Sequence, residues 1–371
     1  MSSLHLSPLD FSYHFPVNTV SFGQVSSGIL REIKSRVSDS CINLFTIGTP
    51  DLSSLTEDND FKTWLNKSID QAPNLHQRKT HLIKLWHLYD HNFTLASYSD
   101  EQSVITFHEL DSLTEREINI AKSIKNVYLT SQYSIDVFAN HGIQAKYLPL
   151  YFDHFHFSKT EKKYFDDDRI TFNLVGKFEK RKNHKQIIQA WLKRFGNDNR
   201  YFLQCAIHNT FLKHEENNQI FASLLNGVRY SNINFLTFMA KNSQFNDFLN
   251  SGDIVIGGSG GEGWGLPEFH SVALGKYGVI MDSTGYKSWA DDSNSILFQE
   301  GPKEEIYDDM FFRKGMPYNQ GNYFSLDPDA FIDACEKAIE KCRINRINSK
   351  GLSLSENFSV DKTVDILLSN G

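Results

Sequence analysis

Short aliphatic runs rich in Val and Ile alternate along the 371-residue chain with stretches in which apolar positions recur every three or four residues. In the first part, Val17–Phe22 reads as a strand that leads through Gly23 and Gln24 into an amphipathic helix over Ser26–Arg36. Cys41–Ile47 reads as the next strand and Phe61–Asp70 as a helix, and apolar runs follow at Leu82–Leu88, Phe93–Ala96 and Val104–Phe107. Leu113–Ser123 predicts a helix, Val127–Thr130 a strand, Ser134–Asn140 a helix and Tyr147–Leu150 a closing strand. Such alternation predicts an α/β fold with a mostly parallel sheet and helices on both faces.

The pattern stops at Ser158–Arg169, which is charged and nearly devoid of apolar residues and reads as a linker. It then resumes with strands at Thr171–Val175, Phe202–Ala206, Ile233–Leu236, Ile254–Ile256, Val279–Met281 and Ile296–Phe298. Helices are expected at His184–Arg194, Leu212–Leu225, Phe245–Asn250, Pro267–Leu274 and Ala330–Cys342. This is a second doubly wound unit, in which Ile207–Thr210 and Thr237–Ala240 are strand-end loops where a nucleotide base would lie against backbone groups. Asp308–Phe324 is rich in aromatics without periodicity, and reads either as a loop over a cleft or as an irregular support.

Bulk properties change this picture little. The length favours two domains: residues 1–157 joined by the closing segment 356–371, the linker 158–169, and residues 170–355. A formal charge of −7 argues against a general nucleic-acid binder. No apolar run is long enough to span a bilayer, and MSSLHLSPLDFSYHF has neither the basic start nor the apolar stretch of a signal peptide. Cys41, Cys205, Cys335 and Cys342 have no metal-ligand spacing, so a reducing, cytoplasmic location is expected, with peripheral membrane contact left open.

The candidate chemistry gathers in Ile254–Asp282, where the strand Ile254–Ile256 runs into Gly257, Gly258, Ser259, Gly260 and Gly261. Glu262, Gly263, Trp264, Gly265 and Leu266 follow, and Pro267 is suited to open a helix because its missing N–H would lack a partner there. Strand, glycine loop and helix start together offer backbone N–H groups to an anion. A basic loop, Gly176-Lys-Phe-Glu-Lys-Arg-Lys182, sits between another strand and helix; its cations can hold a diphosphate or form a solvated turn. Asp166–Asp168 reads as a solvated face, and His154 with His156 as bridge residues, rather than as metal ligands; no metal is expected.

Glu262-Gly-Trp-Gly-Leu-Pro-Glu-Phe-His270, continuing to Gly275, resembles the donor-site signature of retaining family 4 glycosyltransferases, also called glycosyl transferases group 1. In that signature the second acid comes eight residues after the first, where this chain has His270; Glu268 is two residues early and is expected on a different helix face. Lys177 stands at the family's arginine position and Lys182 at its lysine. Thr106-Phe-His108-Glu109 is similar to the family strand that ends in a cleft histidine, and Leu129-Thr-Ser131 with Gly142 to its threonine-serine, helix, glycine segment. Pro149–Asp153 with Phe157 resembles its bridge out of the first domain, and Glu356–Asp361 its closing segment.

The resemblance implies the GT-B architecture: two Rossmann-like domains facing across a cleft, with a C-terminal helix returning to the first. It implies transfer of a hexosyl-type sugar from a nucleoside diphosphate sugar, as donor substrate rather than cofactor, with retention and without a metal. Glu262, His108 and Lys182 would be catalytic, with His108 facing the donor from the first domain. Lys177, Lys182, Gly263, Trp264, Gly265, Leu266 and His270 would bind the nucleotide sugar, although Trp264 also fits a packing role. Lys177 gives charge without an arginine's two-pronged fork, and His270 cannot accept two ribose hydroxyls as a carboxylate can. A non-catalytic GT-B binding or partner subunit remains open, as does a nucleotide-sugar epimerase; a glycosidase using Glu262 and Glu268 would need them on opposite sides of a sugar, and nothing in the sequence places them so.

Overall fold

The computed structural model describes residues 6–53, 58–75, 81–90 and 101–369, and the apolar run at 93–96 lies outside them. Six parallel strands form a first sheet: β1 (Phe11–Pro16), β2 (Asn43–Ile47), β3 (His81–Leu85), β4 (Gln102–Thr106), β5 (Asn126–Leu129) and β6 (Lys146–Tyr147). Their order is β2-β1-β3-β4-β5-β6, so β1 lies between β2 and β3, with Tyr13 opposite both Leu44 and Ile83. Helices α1 (Ser21–Val37), α2 (Asn59–Leu75), α3 (Glu115–Ser123) and α4 (Gln132–Ala139) connect the strands.

The first strand is one element earlier than Val17–Phe22. Phe11, Tyr13 and Phe15 are buried in β1, whereas 17–20 turn, with Asn18 Oδ1 accepting from Val20 N at 3.1 Å. Aromatic rings fill a pleated, half-buried surface as well as β-branched chains do, so the strand forms in a segment with little aliphatic character.

A second parallel sheet comprises β7 (Ile170–Val175), β8 (Tyr201–Ala206), β9 (Ile233–Phe235), β10 (Ile254–Gly257), β11 (Tyr277–Met281) and β12 (Ser295–Phe298). Its order, β12-β11-β10-β7-β8-β9, reverses direction between β7 and β10, the Rossmann arrangement. Helices α5 (His184–Phe195), α6 (His214–Leu224), α7 (Asn242–Ser251), α8 (Leu266–Ala273) and α9 (Pro328–Ile344) pack on it. Ile187, Ile188 and Trp191 make the buried stripe of α5.

Asp308–Phe324 belongs to an antiparallel hairpin of β13 (Glu300–Glu305) and β14 (Asn322–Leu326). Its intervening residues lie on the first domain. Ser112 Oγ donates to Gln320 O at 2.9 Å and Thr114 Oγ1 to Pro317 O at 2.8 Å, and Tyr318 stacks on Tyr89 with centroids 4.1 Å apart. Lys303 pairs with Asp111 at 2.9 Å across the same contact.

After the short helices α10 (Ser349–Leu352) and α11 (Leu354–Asn357), the chain returns to the first domain as α12 (Val360–Ser369). Val360, Val364, Leu367 and Leu368 are buried in the apolar cluster that also holds Val25, Ile29 and Ile33 of α1. Arg36 ties the two helices, pairing with Asp365 at 2.6 Å. The linker's Asp167 pairs with Arg169 at 2.7 Å, and His156 with Asp153 at 2.6 Å. Among the described residues no group of three or more His, Cys, Asp or Glu side chains is arranged to hold a metal ion, and no helix is long and apolar enough to cross a membrane.

Candidate active site

Ligands of open α/β sheets sit beyond the carboxyl ends of the strands where strand order reverses. In the second sheet that point lies between β7 and β10, and the two loops leaving these strands are the basic loop and the glycine loop. Gly176, at φ +107°, turns the chain out of β7, a conformation open to glycine but strained for other residues. A short helical turn, Lys180–Lys182, then ends at Asn183. Asn183, fully buried, donates through Nδ2 to Gly258 O at 2.9 Å and Phe324 O at 3.0 Å. Gly260 N donates to Arg181 O at 2.8 Å and Gly260 O accepts from Phe324 N at 3.0 Å. A side chain on Gly260 would run into the Phe324 backbone. The basic loop, the glycine loop and β14 are thus knitted into one platform.

Glu262 stands on this platform, with its backbone N donating to Thr284 Oγ1 at 3.0 Å and its carbonyl accepting from Gly285 N at 3.0 Å. Its carboxylate is paired with Lys182 and lies 3.2 Å from Arg181. Arg181 also contacts Glu179 at 2.9 Å and, from the first domain, Glu109 at 3.0 Å. Lys177 pairs with Glu179 at 2.5 Å. Burial alone would neutralise Glu262, but Lys182 and then Arg181 hold its carboxyl below the usual range. Burial likewise opposes the charge on Lys182, and Glu262 outweighs it, so this ammonium holds its proton more tightly than usual. Glu262, Glu179 and Glu109 therefore face Lys182, Arg181 and Lys177; Glu262, Glu179, Lys182 and Arg181 are buried, so each of their charges depends on its partners, while Lys177 and Glu109 are partly exposed.

The first domain closes over this cluster. Thr130 Oγ1, at the end of β5, donates to Gly263 O at 2.8 Å. A Cβ on Gly263 would lie 2.9 Å from that of Phe107, so glycine there permits the approach.

No protein-family model matches the chain, and no curated protein matches it. Solved structures do. HepE of Anabaena, in complex with UDP and glucose, superposes with a TM-score of 0.63 at 12% identity, covering 97% of this chain and 98% of its own. A glycosyltransferase from Rickettsia africae matches at TM-score 0.62 and 11% identity over 97% and 95% of the two chains. WaaG, a glycosyltransferase involved in lipopolysaccharide biosynthesis, matches at 0.60 and 10% over 96% and 98%. The chain has the GT-B fold.

Within that GT-B framework Glu262, Lys182 and Lys177 lie in the cluster, and His270, Trp264 and His108 lie outside it. Glu268, not His270, joins the charged cluster. Its carboxyl feels Lys182 and Glu262 and lies beside Tyr286, and its Cγ would be 3.2 Å from a Cβ on Gly257. Helical side chains lean toward the helix N-terminus, which brings Glu268 under the glycine loop. Two residues on, about 200° around the helix, His270 is turned to the bridge segment 149–157. There it packs on Phe157 with centroids 4.6 Å apart, and with Leu266, Tyr151 and Asp153 it lines a small cavity. Burial pushes the Glu268 carboxyl up to about 7 and the His270 imidazole down to about 4.

Trp264 is buried, edge-on to Phe269 and Phe358 with centroids 5.4 Å from each, and serves packing. Gly265, at φ +84°, precedes α8, and Pro267 is its second residue rather than its first. His108, half-buried just beyond the end of β4, packs edge-on against Phe138 at 5.3 Å, and burial pushes its imidazole down to about 4. The neighbouring Glu109 is the residue that reaches the second domain. Lys177, besides pairing with Glu179, lies over the Phe311 ring at 3.8 Å. Arg181, Glu109, Glu179 and Glu268 complete the cluster; Arg181 is one of four cations in the basic loop, Glu268 and Glu109 stand inside the quoted motifs without an assigned role, and Glu179 carried no signal of its own.

Proposed function

We propose that the protein is a metal-independent retaining glycosyltransferase that moves a sugar from a nucleoside diphosphate sugar onto an acceptor. The observation that carries this reading is the convergence of Lys182 and Arg181 on Glu262 at the switch point of the second sheet. Supporting it are the GT-B fold, the likeness of 262–275 to the family 4 donor signature, and the UDP and glucose in the HepE structure. When the diphosphate departs, negative charge builds on it while the anomeric carbon becomes oxocarbenium-like. Preorganised cations in a water-poor site answer that need better than a strong base. Lys182 and Arg181 supply the charge, and Glu262 holds sugar hydroxyls and orients the anomeric carbon. Glu109 is carried by the other domain, so opening the cleft withdraws it from Arg181 and frees that guanidinium for phosphate oxygens; closure expels water. We divide the chain at the linker 158–169, with 356–371 returning to the acceptor side. We place the reaction in the cytoplasm, where the four unpaired cysteines stay reduced.

The balanced cluster favours a second reading, a GT-B subunit that binds a nucleotide sugar without turnover, because every cation is already matched by a carboxylate. Thermal unfolding against nucleoside diphosphates and their sugars, with and without a divalent metal, tests both. A ligand at 100 times its Kd adds about 2.7 kcal/mol, visible as a raised Tm. A metal-independent rise with one diphosphate and its sugar is expected, lost in Glu262→Ala for the sugar-bearing ligand only. Transfer or hydrolysis of that donor then separates enzyme from binder. No rise with any ligand sinks the donor site altogether.

A further inference from the structure

Phe211 is the most exposed aromatic residue among those described, at 68%, yet the loop that carries it is rigidly built. Asn217, fully buried on α6, accepts from Asn209 N at 2.8 Å and donates back to Asn209 O and Lys213 O at 3.0 Å each. Asn209 Oδ1 in turn accepts from Phe211 N at 3.0 Å. A ring so exposed contributes little to the core, so the ordering of its loop is not explained by burial.

Its position gives a reason. The loop leaves the carboxyl end of β8, next to β7, and is sewn to the basic loop by Phe178 N donating to Ile207 O at 3.1 Å. Phe211 meets Phe311 of the hairpin edge-on at 5.3 Å, and the Lys177 ammonium lies 4.6 Å from its ring centre. From that ring a continuous trail of contacts runs through Lys177, Glu179 and Arg181 to Glu262. An aromatic plane, then cations, then a carboxylate is the order of base, diphosphate and sugar along a nucleoside diphosphate sugar.

We propose that Phe211, braced by Phe311, is the stacking platform for the nucleobase of the donor. The proposal rests on the donor-site reading above and adds to it the residue that reads the base as a flat ring. Stacking is tolerant of base identity, because every base has a π-face, so Phe211 secures a nucleoside without selecting uracil over guanine.

The test compares binding of uridine diphosphate, guanosine diphosphate and inorganic pyrophosphate to the full chain and to Phe211→Ala and Phe211→Trp by calorimetry. Phe211→Ala is expected to weaken both nucleotides roughly 5- to 150-fold, the ~1–3 kcal/mol that base–aromatic stacks are worth. Pyrophosphate affinity should not change, and Phe211→Trp should restore the nucleotides. A parent-like nucleotide affinity in Phe211→Ala overturns the platform while leaving the donor site standing, as does an equal loss for pyrophosphate. Failure of the unaltered chain to bind any of the three overturns both.

Discussion

Each sheet has one place where strand order reverses, and the two places are furnished in opposite ways. In the second sheet Lys177, Arg181 and Lys182 gather there with Glu179, Glu262 and Glu268 on a glycine-built platform, and Glu109 reaches them from the first sheet. In the first sheet, between β1 and β3, the equivalent edge is aromatic: Phe22 stacks on Phe107 at 4.3 Å and meets Trp86 at 5.3 Å and His87 at 4.8 Å. Burial pushes the His87 imidazole down to about 4 against the opposing pull of Asp90, which accepts from Trp86 Nε1 at 2.8 Å, so these rings carry no charge of their own near neutral pH. The same architecture thus hosts unrelated chemistries, because strands set position and loops set content. A charged edge depends on every partner, whereas rings can be exchanged for other apolar groups at modest cost.

Matched substitutions put this contrast at risk. Lys182→Met leaves Glu262 buried with Arg181 alone and should cost about 3–5 kcal/mol in urea unfolding. Phe107→Leu on the aromatic edge should cost under about 1.5 kcal/mol. Equal costs would show that the charged edge is no more tightly coupled than the aromatic one.

Next in size is a pH effect at Glu268, faced by Lys182, Glu262 and Tyr286. Its carboxyl titrates near 7 in the folded chain against 4.5 in the unfolded one. The folded state therefore keeps a proton that the unfolded state has lost, and the stability this supplies is complete below about 4.5, declines with rising pH and is gone above 7. Glu268→Gln, neutral throughout, should match the parent near pH 4 and exceed it by about 3 kcal/mol above pH 7. A difference that does not vary between pH 4 and 8 would remove Glu268 from the charged edge.

The smallest effect concerns the contact between the two edges. Glu109→Gln leaves Arg181 with Glu179 and Glu262, so stability should fall by about 1 kcal/mol or less, while pyrophosphate binding tightens severalfold because a competing carboxylate is gone. Weaker pyrophosphate binding would mean that Glu109 helps to hold the anion instead.

The strands of the second sheet were legible because each is a short aliphatic run bounded by turn residues, and the glycine loop because no helix or strand interior tolerates such a density of glycine. β1 was not legible, its pattern being aromatic and ending in Pro16. Neither were β13 and β14, where EGPKEE has the composition of a loop and becomes a strand only by pairing with Asn322–Leu326. Motif likeness singled out Glu262 and Lys182, which the fold pairs with each other. It chose His270 over Glu268, whereas the fold brings Glu268 to the cluster, because that depends on where a short helix sits against its sheet. Glu109 and Glu179 are ordinary charged residues until tertiary structure sets them against Arg181.

The returning helix α12 opposes the order of synthesis to the order of space. Ribosomes emit about 5–20 residues per second, so the roughly 200 residues between β6 and α12 take about 10–40 seconds to make. Through that interval the face of α1 that α12 covers has no lid of its own chain. The first domain, begun first, is finished last, and until α12 is made the apolar face of α1 that it covers is open to solvent.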